Sequence, residues 1–242
     1  ADDTPEGVEF NRLRDLEILH KLNLFPGATL PARILIYRLL AQIADVTDLC
    51  GYDAVTGAAW AGCPRAGSGA YPRGHALGID AIIPPRPAPE LCAEKANSLA
   101  AMAQASATRV RPHMLLCAVC QYGSGVRPPY PEDNLPELIA SMLQAPETPI
   151  MLAPGAEWMM CAPCPYCAPE LPACVNNRGS GGLPNQLRDL RVLRQLGMQY
   201  GDVLPARDLF LRIFTRISGT LAICRLDHAY PSVWYTGCGA AT

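Results

Sequence analysis

The chain repeats itself at a fixed distance, and this constrains its fold more than any other feature. Leu187-Arg188-Asp189-Leu190 restates Leu13-Arg14-Asp15-Leu16, and Leu204-Pro205-Ala206-Arg207 restates Leu30-Pro31-Ala32-Arg33. Cys224, Asp227 and Trp234 restate Cys50, Asp53 and Trp60. The offset is 174 throughout, and 16 of the 41 positions from Leu13 to Asp53 are identical without a gap. Cys63 and Cys238 also correspond, after one inserted residue. Internal self-similarity over such a length marks a duplicated structural unit, so both copies must suit one local structure.

That local structure reads as a helical pair. Leu13, Leu16, Leu19 and Leu22 recur at helical spacing. Phe25-Pro26-Gly27 interrupts the pattern. Leu30 to Ile43 resumes it, opened by Pro31, a residue suited to a first helical turn. The two copies have unequal company. Only residues 1–11 precede the first, and they read as a disordered or docking arm. The second follows a long cysteine-rich stretch. The expected organisation is a partial unit over 1–63, a connector over 64–108 and a complete unit over 109–242. Within the connector, Pro64 to Pro89 is rich in Gly, Pro and Arg and reads as irregular, whereas Glu90 to Thr108 reads as an Ala-rich helix. Further on, Met114–Val119 and Glu137–Leu143 read as helical and Pro149–Ala153 as a short strand. The expected fold class is mainly α with little β (α+β): a duplicated helical unit with irregular Cys/Pro-rich loops.

The chemistry concentrates between Cys161 and Cys174, where Cys161, Cys164, Cys167 and Cys174 fall in two successive C-x-x-C steps and a longer one. Prolines at 163, 165 and 169 deny this stretch a helix, so it must loop. Thiolates three apart on a turning backbone can share one ion, and sulfur donors select Zn, Cu(I) or an iron–sulfur cluster. The alternatives are a disulfide knot or buried thiols without a role. Eleven cysteines is an odd total, and 242 residues with 50% hydrophobic content can fold without covalent staples. Both facts favour metal ligation in a reducing, cytoplasmic setting. The absence of Met at residue 1 fits either signal cleavage, which leaves export as the alternative, or a sequence that is a piece of a longer chain.

Other candidates surround this cluster. Cys117 and Cys120 share one face of a helix, with His113 just before them. Cys224 and Asp227 form a C-x-x-D step, with Cys238 as a further candidate metal ligand and His228 as a supporting group. Cys50 and Cys63, in the first copy, lack an upstream cluster; they read as a vestigial site or one completed by Cys92 or a partner chain. His75 and His20 read as solvated. Arg33 and Arg207 open helices in both copies, which opposes the helix dipole, so each should pair with a carboxylate, Asp15 and Asp189 being the repeated candidates. A net charge of −2 argues against nucleic acid as a partner, and 17% charged residues leave a pale surface that suits a protein partner. No apolar run reaches membrane-span length. Phosphate-loop, serine-hydrolase, zincin and c-type haem motifs are missing.

Arg111-Pro-His113-Met-Leu-Leu-Cys117 and the stretch Gln121-Tyr122-Gly123-Ser-Gly125 resemble the opening of a small prokaryotic cysteine-rich family described as iron–sulfur binding. That family opens with R-x-H-H-L-L-C and continues with a short strand, a cysteine cluster, a D-L-x-x-L helix and a C-x-x-C…W…C region. Pro149–Ala153, Cys161–Cys174, Asp189-Leu190-Arg-Val-Leu193 and Cys224…Trp234…Cys238 stand in those places. Met114 replaces the second histidine and Asp227 replaces a cysteine. The resemblance covers about residues 109–238 and implies metal or cluster binding. The expected function is that of a cysteine-ligated metal protein carrying a [4Fe–4S] cluster, an electron-transfer or accessory subunit of a redox assembly rather than an enzyme. Cys161, Cys164 and Cys167 would supply three ligands, and Cys174, Cys117 or Cys120 the fourth. A structural zinc module for protein contact, and a secreted disulfide-braced binding protein, are the alternatives.

Overall fold

The computed structural model describes residues 4–50, 63, 65–125, 131–168, 173–175 and 182–224. These residues are mainly helical with little strand. The chain divides into two compact units, Ala1–Pro85 and Arg86–Thr242. The division falls inside the expected connector, because its first part packs with the first copy and its second part with the second.

The first unit opens with α1, Pro5–Lys21. Its cap explains why most of the expected arm is helical instead. The Thr4 hydroxyl accepts from the Gly7 amide at 3.2 Å, Pro5 occupies the first turn, and Phe10 is buried. Helices α2 (Ala32–Gln42) and α3 (Thr47–Cys50) follow. The stretch expected to be irregular contains α4 (Ala70–Leu77) and α5 (Ile79–Ile82). Gly69 and Gly78, at φ 70° and 75°, supply the left-handed corners that let two short helices follow one another. Leu22, Ile43 and Leu49 centre this unit's small core.

The second unit opens with α6, Ala88–Gln104, and β1, Thr108–Val110. Helices α7 (Pro112–Gly123) and α8 (Leu135–Gln144) lead to β2, Pro149–Leu152. Leu135, Leu138, Ile139 and Met142 are all buried at i, i+3, i+4 and i+7, the spacing of one helix face. A single turn, α9 (Trp158–Cys161), enters the cysteine loop, whose arms pair as β3 (Cys167–Ala168) and β4 (Ala173–Cys174). Then come α10 (Leu183–Leu196), β5 (Val203–Pro205), α11 (Ala206–Arg216) and α12 (Leu221–Cys224). The sheet order is β1-β2-β5, with β1 parallel to β2 and β5 antiparallel to it. Val110, Leu115, Ile150, Leu152, Leu196 and Leu209 lie in the buried core around this sheet.

The duplication is visible element by element. Shifted by 174, α2 lands on α11 and α3 on α12, end for end. Pro31 and Pro205 precede α2 and α11 with φ −54° in both, and Ile43 and Ile217 close them at φ −120° and −117°. After α1 and α10 the chain turns through a left-handed residue, Asn23 (φ 53°) in one copy and Gly197 (φ 62°) in the other. The same bond closes each turn: Leu24 N–H donates to Leu19 O at 2.9 Å and Met198 N–H to Leu193 O at 3.0 Å.

Candidate metal centre

Local backbone bonding gathers the Cys161–Cys174 segment. Cys161 ends α9. The Cys164 amide then donates to the Cys161 carbonyl at 2.9 Å, and the Cys167 amide to the Cys164 carbonyl at 3.0 Å. Each C-x-x-C step is therefore one tight turn. The β3–β4 pair sets Cys167 directly opposite Cys174, and the Val175 amide closes onto the Tyr166 carbonyl at 2.7 Å. Four cysteines thus sit on two turns and one hairpin. The Tyr166 amide also donates to the Cys164 sulfur.

The thiols feel one another. Burial pushes Cys161 up to about 12; Arg111 opposes this, while Cys167, Cys164 and Cys174 reinforce it. Burial pushes Cys164 up to about 11; the Tyr166 amide opposes, and Cys174 and Cys167 add to the rise. Cys167 is raised by burial, with Arg86 opposing and Cys174 adding. Without a cation, then, these cysteines are held as neutral thiols. No disulfide joins any two of the ten described cysteines. Among the described residues, no three Cys, His, Asp or Glu side chains stand ready to hold an ion in the arrangement seen.

The loop is braced from several sides. Arg86 Nη1 donates to the carbonyls of Ala162 (2.9 Å) and Cys164 (3.3 Å), and its Nε binds Glu90 at 2.6 Å. Its Nη2 is buried, with no hydrogen-bond partner among the described residues. Trp158 Nε1, on α9, donates to Glu94 at 2.8 Å. The buried Asn134 side chain donates to Met159 O at 2.8 Å and to Ser98 Oγ at 2.7 Å, tying α9 to α6. At the far side Gly182 (φ 75°) begins α10 so close to Cys174 that a Cβ there would lie 2.6 Å from the Cys174 Cβ. A hollow of about 400 Å³ lies beside the loop, with Cys167, Trp158 and Arg109 in its wall.

A buried ionic network adjoins the cluster. Arg111 Nε and Nη2 donate to Asp189 Oδ2 at 3.0 and 2.7 Å. The His113 amide donates to Asp189 Oδ1 at 3.0 Å, and His113 Nδ1 bonds the same oxygen at 2.7 Å. Burial works to raise the Asp189 carboxyl, but the His113 and Arg111 contacts outweigh it and hold it below the ordinary range. Burial likewise lowers His113, with Asp189 opposing. A neutral imidazole that gives Nδ1–H to a carboxylate keeps Nε2 as its acceptor, the tautomer common beside metal centres.

The expected residues divide into groups. Cys161, Cys164, Cys167 and Cys174 share one segment and one electrostatic neighbourhood. Cys117 and Cys120 lie on α7, where Cys117 packs against the main core; Cys224 also touches that core, and its carbonyl accepts from Arg188 at 3.2 Å. Cys238, Asp227, His228 and Trp234, with Asp53 and Trp60, lie outside the described residues. In the first unit the Cys63 amide donates to the Cys50 carbonyl at 2.7 Å, and burial, then Cys63, raises the Cys50 thiol. Cys92 is exposed on α6. His75, expected to be solvated, bonds the Leu40 carbonyl at 2.7 Å, while His20 is exposed. Arg33 and Arg207 do pair with carboxylates, but with Asp80 and Glu147; Asp189 is taken by Arg111, and Asp15 is largely exposed. The cause is the unequal company of the copies: the partner of Asp189 sits at the start of α7, which precedes only the second copy. Arg86 and Asn134 went unnoticed in sequence because their partners are remote along the chain, and Gly182, which reads in sequence as part of a flexible loop, instead packs against Cys174. Arg111 stood in the opening motif, without its role.

No family model, no curated protein and no solved structure matches the chain.

Proposed function

We propose that this is a cysteine-ligated metal protein whose centre is held by Cys161, Cys164, Cys167 and Cys174, and that the group is an iron–sulfur cluster, [4Fe–4S] by preference. The observation that carries the reading is the gathering of these four cysteines on two i→i+3 turns and a hairpin, with Cys164, Cys167 and Cys174 all raising Cys161. It favours Cys174 over Cys117 or Cys120 as the fourth ligand. Four soft sulfur donors suit such a group, and ligation requires the loss of their protons. Two cations, Arg86 and Arg111, face the thiols and offset thiolate charge. Among the described residues Arg86 Nη2 has no hydrogen-bond partner, so it offers a buried N–H that a sulfur acceptor would satisfy, and such bonds tune redox potential. When bound, the group would supply one-electron transfer; the chain would hold it, exclude water and set its charge balance. This makes the protein an electron-transfer or accessory subunit of a larger redox assembly. The likeness of residues 109–238 to an iron–sulfur family points the same way.

Zinc fits the same four sulfurs as a closed structural site. Anaerobic purification with iron, sulfide and zinc analysis separates the readings. Iron and acid-labile sulfide with visible absorption are expected. Stoichiometric colourless zinc supports the structural alternative, and neither metal at stoichiometry overturns both. Because ligation must strip protons from thiols held near 11 and 12, apparent metal affinity should fall as pH falls.

A further inference from the structure

The duplication exposes a docking surface. In the first unit the face of α2 that carries Arg33, Tyr37 and Leu40 packs against the chain itself, with Arg33 buried and the other two half-buried. Helix α5 packs on α2, Arg33 bonds the Asp80 carboxylate and the Ile83 carbonyl, and His75 bonds the Leu40 carbonyl. Arg33 is only 7% exposed as a result. The same face of α11, at offset 174, is Arg207, Leu211 and Phe214. There Leu211 is 58% and Phe214 63% exposed, and Arg207 also stands at the surface. Together with Tyr122, Leu143 and Phe210 these residues line an apolar groove of about 390 Å³ between α7, α8 and α11. Its walls are aromatic and aliphatic, the composition of protein interface cores, and its rim carries the one arginine that its counterpart uses to hold a docked segment.

We propose that this groove receives a short helical segment of a partner protein with the chemistry of Ala70–Ile83: aliphatic side chains plus an aspartate or glutamate for Arg207. Charge complementarity commits it to such a partner. Arg207 now shares the exposed Glu147 at 2.6 Å, and an exposed pair of this kind is exchanged at little cost. A second copy is a poor occupant, since lending its own α4–α5 would uncover its α2. The groove involves none of Cys161, Cys164, Cys167 or Cys174, so the inference stands apart from the metal reading.

The test uses the full chain and a fluorescent synthetic peptide of residues 69–85, the segment that covers the equivalent face. Anisotropy should show saturable binding, weakened at least tenfold by Phe214→Asp or Leu211→Asp. Both residues are exposed, so the variants should keep the parent's circular dichroism. Arg207→Glu should weaken binding of the parent peptide and restore it for a peptide carrying Asp80→Lys, a charge swap that a merely sticky surface would not reproduce. No binding by the parent chain, or equal binding by the Phe214→Asp variant, overturns the proposal. So does concentration-dependent self-association that Phe214→Asp abolishes, because the groove would then join two copies of this chain.

Discussion

A methyl group added at Gly182 would meet the Cys174 Cβ at 2.6 Å, on a residue whose φ of 75° already disfavours any side chain. Left-handed geometry alone costs about 1–2 kcal/mol, and the contact would also push Cys174 off its place opposite Cys167. Gly182→Ala should therefore lower both the melting temperature and the metal content. Gly197→Ala serves as the control: at φ 62° it meets only the flexible end of Arg216 at 3.4 Å, so it should lower stability alone. Asp189 is the second sensitive residue. Asp189→Ala strands a buried guanidinium, a loss of about 3–5 kcal/mol for breaking one side of such a pair, read by denaturant unfolding. The acid limb of stability should carry the same network. His113 is lowered from 6.5, so below that pH the unfolded chain binds a proton that the fold resists, and stability falls as pH drops. Asp189 lies below 3.8, so its contribution is present above that value and is lost as pH falls through the lowered one. His113→Asn should flatten the histidine part of the slope and leave the carboxylate part.

At the level of elements, the two copies offer an internal experiment. Asn23 performs at φ 53° what Gly197 performs at 62°, and asparagine tolerates this region better than other residues with a side chain. Asn23→Gly should be neutral or stabilising, and Asn23→Val should cost about 1–2 kcal/mol in thermal unfolding. Leu138→Ala, in the buried face of α8, should cost about 2–5 kcal/mol in denaturant unfolding. The elements legible in sequence include those whose burial follows a period: α7, α8 and β2 show their apolar faces. Those hidden have another origin. The opening of α1 buries little beyond Gly7 and Phe10, too few positions to make a stripe. Helices α4 and α5 bury no residue fully and depend on glycine corners and on bonds to α2. A Gly/Pro-rich reading could not foresee such remote partners.

Across the whole molecule, the grouping of four cysteines on one looping segment was legible from their spacing, while its supports were not. Cys161, Cys164, Cys167 and Cys174 announce a shared segment because C-x-x-C steps are local. Arg86, Arg111 with Asp189, and Gly182 support that segment through contacts that only the fold creates. Among the described residues no helix is long and apolar enough to cross a membrane. The central claim is that four specific thiols hold a metal group, and it makes unequal demands on the eleven cysteines. The most direct measurement is metal per chain, by elemental analysis of anaerobically purified Cys164→Ser and Cys92→Ser variants beside the parent. Cys164 sits at the step shared by both turns, whereas Cys92 is exposed on α6. The account predicts parent-like metal in Cys92→Ser and a loss of at least half in Cys164→Ser. Equal metal in the two variants would contradict it.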